Sequence, residues 1–127
     1  MTGGIQAHDL VTRGVLVADA EQVLKSFTVV TEDQFYAVLG INPRTMQRRA
    51  ASTSGALDQN ASDRALRLVA VVALAITVLG SQPAAEEWLT KPAMGLEQRK
   101  PIDLLQSTDG TELVKTLLNR MDWGVYA

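Results

Sequence analysis

Residues 68–79 carry no charge at all, and Val, Ala, Leu and Ile fill the stretch with a single Thr77 among them. Arg64 and Arg67 bound it on one side and Gly80, Ser81, Gln82 and Pro83 on the other. A bilayer-spanning helix needs about 20 apolar residues, so this run is too short to cross a membrane. It reads as a helix over roughly residues 62–79 that is buried on most sides. The remaining chain must wrap around it.

Enough chain is present to do so. At 127 residues one domain with two lobes is expected, and 46% hydrophobic against 20% charged residues suits a packed protein rather than a disordered one. Cysteine is absent, which removes disulfides and thiolate metal sites and fits a reducing cytoplasm. No basic stretch followed by a cleavable apolar core opens the chain, so a cytoplasmic protein is expected. A net charge of −2 supplies no global field for nucleic acid, so any DNA contact must come from a local cluster.

Helical signals dominate. No segment alternates with period two, and no Asn-Gly or Asp-Gly hairpin turn occurs. Residues 1–4 read as a leader, residues 5–11 as a first helix broken at Arg13 and Gly14, and residues 19–26 as a second with Val23 and Leu24 facing inward. Thr31 and Gln34 have the spacing of a capping box. Phe35, Val38 and Leu39 then give one apolar face, and Gly40 ends the helix in a tight turn. Asn42 as N-cap and Pro43 at the first helical position open the next helix. Helix, glycine turn, helix over about residues 31–50 is the outline of a helix-turn-helix. Further on, Ser81 caps a short helix that Pro92 stops, and Pro101 starts a brief one with Ile102, Leu104 and Leu105. Asp109 and Glu112 are expected to cap the last helix, with Leu113, Val114, Leu117, Leu118 and Met121 as one inward stripe.

Two places carry chemistry. In the second helix of the helix-turn-helix, Pro43, Met46 and Ala50 share the face expected to pack inward. Arg44, Gln47 and Arg48 share the opposite face, with Thr45 and Arg49 beside it. Arg pairs bidentately with guanine and Gln with adenine, and these types also grip phosphates. A solvated basic face is the plain alternative, but the cluster falls on the helix that such a motif inserts into the major groove.

The other place is the tail: Trp123, Gly124, Val125, Tyr126 and Ala127. Exposed aromatics on a tail are unfavourable unless they dock. Trp123 alone reads as a plug folded back on Leu117 and Met121. Val125, Tyr126 and the carboxylate of Ala127 lie beyond Gly124 and suit entry into a partner's cleft, the ring stacking and the carboxylate pairing with an arginine. Catalysis finds no support: His8 beside Asp9 lacks a nucleophile or ligand set, and Glu86 and Glu87 are helix neighbours that do not face each other. No cofactor is expected.

Taken in order, residues 39–49, 62–68, 85–89, 101–105 and 124–127 resemble the Xre/MbcA/ParS-type antitoxins paired with RES-domain toxins. The likeness runs from about Thr31 to Ala127. It implies an all-α fold, an Xre-like helix-turn-helix region followed by a small helical toxin-binding domain, divided as residues 1–60 and 61–127. It further implies a homodimer that binds its own operator DNA and neutralises a toxin that consumes NAD or transfers ADP-ribose. Carried over, Trp123, Gly124, Val125, Tyr126 and Ala127 become the toxin-facing set, and Arg44, Thr45, Gln47, Arg48 and Arg49 the DNA-facing set. Gln98 departs from the pattern, since the family often has glycine there. The competing reading is a helix-turn-helix repressor whose C-terminal half senses a small molecule.

Overall fold

The computed structural model describes residues 13–122 together with Ile5, His8 and Asp9. These three residues are helical. The other expectations for residues 1–12, and all those for residues 123–127, lie outside the described residues. Among the described residues the fold is all-α: α1 (Val17–Ser26), α2 (Glu32–Leu39), α3 (Pro43–Ala50), α4 (Gln59–Leu79), α5 (Gln82–Leu89) and α6 (Thr108–Asp122). Two 3₁₀ turns, Met94–Leu96 and Pro101–Leu104, separate the last two helices. No strand is present among the described residues, only single bridges between Leu16 and Ala56 and between Ala93 and Arg99.

The uncharged run forms most of α4, which is the centre of the molecule and packs against α2, α5 and α6. Leu68, Val71, Val72 and Ala75 form its inner face and are buried. Each such burial stabilises by roughly 1.5–3 kcal/mol for the larger side chains. The outer row stays outside: Ala70 and Ala73 are exposed and Val69 is 42% exposed. The helix begins earlier than expected because Asp58 caps it, its Oδ1 accepting from the Ala61 N–H at 2.8 Å.

Two other helix starts differ from expectation, for tertiary reasons. Helix α1 begins at Val17, with no side-chain cap. Its entry is fixed instead by Val15 N–H donating to Ser62 Oγ at 2.8 Å and Val17 N–H to the Gly55 carbonyl at 2.9 Å. Helix α6 is capped by Ser107 rather than Asp109, Ser107 Oγ accepting from the Gly110 N–H at 2.9 Å. Gly110 sits in the first turn directly against the Leu104 carbonyl, where a Cβ would collide. The inward stripe of α6 is Val114, Leu117 and Leu118, with Met121 half-buried. Leu113 is not part of it and is 58% exposed.

The 62–68 motif acts as a set of fasteners. Buried Ser62 accepts from Val15 and donates to the Leu57 carbonyl at 3.3 Å. Arg67 pairs with Asp63 at 2.7 Å and donates to the Leu105 carbonyl at 3.3 Å, tying α4 to the turn before α6. The Arg64 guanidinium lies where a Cβ on Gly40 would point.

Candidate functional site

The helix-turn-helix is built from local chemistry. Thr31 Oγ1 accepts from the Gln34 N–H at 3.1 Å while Gln34 Oε1 accepts from the Thr31 N–H at 3.0 Å, so the capping box is complete. Phe35, Val38 and Leu39 are buried as the pattern demands. Gly40 turns the chain with φ 74°, a left-handed conformation that suits glycine, and the Arg64 guanidinium occupies the space a side chain would need. Asn42 Oδ1 then accepts from the Thr45 N–H at 2.8 Å and Pro43 stands in the first turn of α3. Burial first, then Glu32 and Glu21, pushes the Tyr36 phenol up, so it stays neutral near neutral pH.

On α3 the inward face is narrower than the spacing suggested. Met46 is buried, but Pro43 and Ala50 are exposed. The helix is short and packs against α1, so only its middle is enclosed. Arg44, Gln47 and Arg48 are exposed together, lying within about 100° of one another around the helix axis. Thr45 and Arg49 are half-buried. Arg49 Nε donates to the Ala56 carbonyl at 2.8 Å, which braces the connector between α3 and α4. The outward face therefore offers two guanidinium groups and an amide, with no acidic residue in the first turn of the helix to oppose a phosphate.

A residue dismissed at sequence level connects this unit to the C-terminal half. Glu86 is fully buried. One of its oxygens, Oε1, accepts from the backbone N–H groups of Thr28, Val29 and Val30 at 2.9, 2.7 and 3.0 Å. Gln82 Nε2 donates to the other at 2.9 Å and to the Ser26 carbonyl at 3.0 Å. Burial by itself would raise this carboxyl, but the three backbone N–H groups and the Gln82 amide outweigh it and hold the acid below its ordinary value. The segment it grips leads straight into the Thr31 cap, so α5 sets the entry of the helix-turn-helix. The available signal was its place beside Ala85 and Leu89, both buried on the same short helix.

Helix α6 runs to Asp122 and delivers the chain to Trp123, Gly124, Val125, Tyr126 and Ala127, the tail set outside the described residues. Ahead of it lies a braced loop. Ala93 N–H donates to the Arg99 carbonyl and Gln98 N–H to the Ala93 carbonyl, each at 3.0 Å. Glu97 and Gln98 are both left-handed, with φ of 57° and 65°. This explains why glycine suits the position of Gln98, and why the loop keeps its shape without it. Gln98→Gly is expected to raise stability by about 0.5–1 kcal/mol, read as a higher urea midpoint at unchanged slope. A lower midpoint would mean that the left-handed residue is held by its side chain. Among the described residues, no group of three or more His, Asp or Glu is placed to hold a metal ion.

Such a structure defines a class: a helix-turn-helix protein whose α2–α3 unit is clamped to a second helical module. A model of the antitoxin Xre-like helix-turn-helix domain matches residues 6–70, just over half of the chain. A model of the antitoxin Xre/MbcA/ParS C-terminal toxin-binding domain matches residues 74–124, so the two segments meet inside α4. The chain is also similar to the antitoxin Xre of Yersinia enterocolitica, with 27% identity over 126 aligned residues that span 91% of this chain and 84% of the relative. The chain belongs to the Xre/MbcA/ParS-type antitoxins. These are antitoxins and helix-turn-helix regulators, and the chain is not an enzyme.

Proposed function

We propose that this antitoxin neutralises a cognate RES-domain toxin, one that consumes NAD or transfers ADP-ribose, and represses its own operator as a cytoplasmic homodimer. The division of labour falls near residue 60, with residues 1–60 facing DNA and residues 61–127 facing the toxin. The observation that carries the DNA half is the joint exposure of Arg44, Gln47 and Arg48 on a doubly capped helix-turn-helix. Thr45 and Arg49 flank them, Thr45 toward the phosphate-facing end and Arg49 as the brace. A homodimer would present two copies of α3 to a palindromic site. The outer row of α4 around Val69, with exposed Leu16 nearby, is the apolar surface that suits the two-fold contact. The toxin half rests on the kind of domain matched over residues 74–124 and on the aromatic segment of Trp123, Gly124, Val125, Tyr126 and Ala127, which enters the toxin's active-site crevice.

Arg48→Ala tests the DNA half. Operator affinity is expected to fall about 5- to 100-fold if Arg48 pairs with a base. A phosphate contact instead gives a uniform loss across sequences and lowers the slope of log affinity against log salt by about one. Unchanged affinity and slope in a salt-controlled titration would remove Arg48 from the contact set.

A further inference from the structure

One surface of the second module lies apart from the outward face of α3. Met94 and Leu113 are 78% and 58% exposed, the highest values for large apolar side chains in residues 13–122. They flank the same buried residue. Gly95 sits on the methyl groups of Leu117, so close that a Cβ there would lie 3.0 Å from one of them, and Leu113 is one turn back on α6. The rim is charged with both signs: Arg120 lies two turns from Leu113 and Asp109 one turn from it on the same side of α6, and Glu97, Arg99 and Lys100 are exposed on the loop that carries Met94. That loop is fixed by its cross-loop hydrogen bonds and holds two consecutive left-handed residues, a strained arrangement of the kind that concentrates at binding sites.

We infer that Met94 and Leu113 form a second docking surface for the toxin, receiving an apolar hollow with a polar edge. This rests on the toxin-neutralising reading above. The occupant follows from position and from size. Both residues fall in the segment matched by the toxin-binding domain, and α6 leads from Leu113 directly to the tail, about 14 Å further along the helix at its end. A stable protein complex covers about 800 Å² on each partner, more than a five-residue plug presents. Apolar anchors inside a charged rim are the usual form of the remainder.

The test uses the full chain and its purified cognate toxin. Met94→Asp with Leu113→Glu, Met94→Ala with Leu113→Ala, and deletion of Val125, Tyr126 and Ala127 are compared for toxin affinity, operator affinity, melting temperature and sedimentation. The charged pair is expected to weaken toxin binding at least about tenfold and the alanine pair about threefold, with operator affinity unchanged. Should the charged pair lower the melting temperature, the alanine pair decides: weaker toxin binding at normal melting supports the surface, and full affinity overturns it. Unchanged toxin affinity in both pairs overturns it outright. So does a shift in oligomeric state with toxin affinity intact, which would assign the patch to a second copy of this chain. If the deletion alone weakens binding, the patch fails and the tail stands. If the patch variants alone weaken it, the tail fails and the patch stands.

Discussion

Deleting Val125, Tyr126 and Ala127 is expected to leave a folded, operator-binding antitoxin that no longer protects cells from its toxin. The fold survives because the buried stripe of α6 ends before the cut: Val114, Leu117 and Leu118 are all retained, and Met121 with them. Operator binding survives because Arg44, Gln47 and Arg48 lie on α3, which packs against α1. Toxin binding does not, since an aromatic anchor in a desolvated pocket contributes about 2 kcal/mol or more and a paired carboxylate adds to it. A loss on the order of 100-fold in affinity follows if both contacts go. Growth in the presence of the toxin and toxin affinity should be measured together. Full protection by the shortened chain would take the tail out of the mechanism.

Glu86→Leu should have the largest effect on stability. The carboxylate satisfies three backbone N–H groups and one side-chain amide, and leucine satisfies none. Buried donors left without a partner cost about 1–3 kcal/mol each, reduced here because Thr28 and Val29 lie at the surface. A loss of about 3 kcal/mol and a melting temperature lower by on the order of 10 °C are expected. Glu86→Gln keeps one acceptor and should lose roughly half as much. The pH dependence follows from the carboxyl being held below its ordinary value of 4.5 when folded. Its contribution is complete above the unfolded value and is lost as the pH falls through the lower, folded one. Stability of the native chain should therefore decline below about pH 4.5 more steeply than that of Glu86→Gln. Equal acid slopes in the two proteins would mean that folding does not lower the Glu86 carboxyl. Since Glu86 belongs to α5 and grips the segment before Thr31, operator affinity should weaken along with stability.

The elements whose reasons are local were readable from the chain. Thr31, Gln34, Gly40, Asn42 and Pro43 act within one helical turn of their partners, and each performs the role its spacing indicates. The outward trio of Arg44, Gln47 and Arg48 follows from helix periodicity alone. What the sequence hid was long-range. Glu86 meets its partners across 56 to 58 positions, and neither side has a pattern that points to the other. The cap at Ser107 goes together with Gly110 lying against the Leu104 carbonyl, a contact between elements. Leu113 has the right spacing for the α6 stripe but lies at its edge, where α4 and the Met94 turn do not cover it. Pro43 and Ala50 likewise share a face with Met46 that nothing is wide enough to bury.

A structure of the antitoxin bound to its toxin is the most direct test of how neutralisation works. The Tyr126 ring should be enclosed by the toxin's catalytic crevice, with Ala127 beside a cationic side chain there. Density placing both residues in solvent, or folded against α6 of their own chain, would contradict the mechanism.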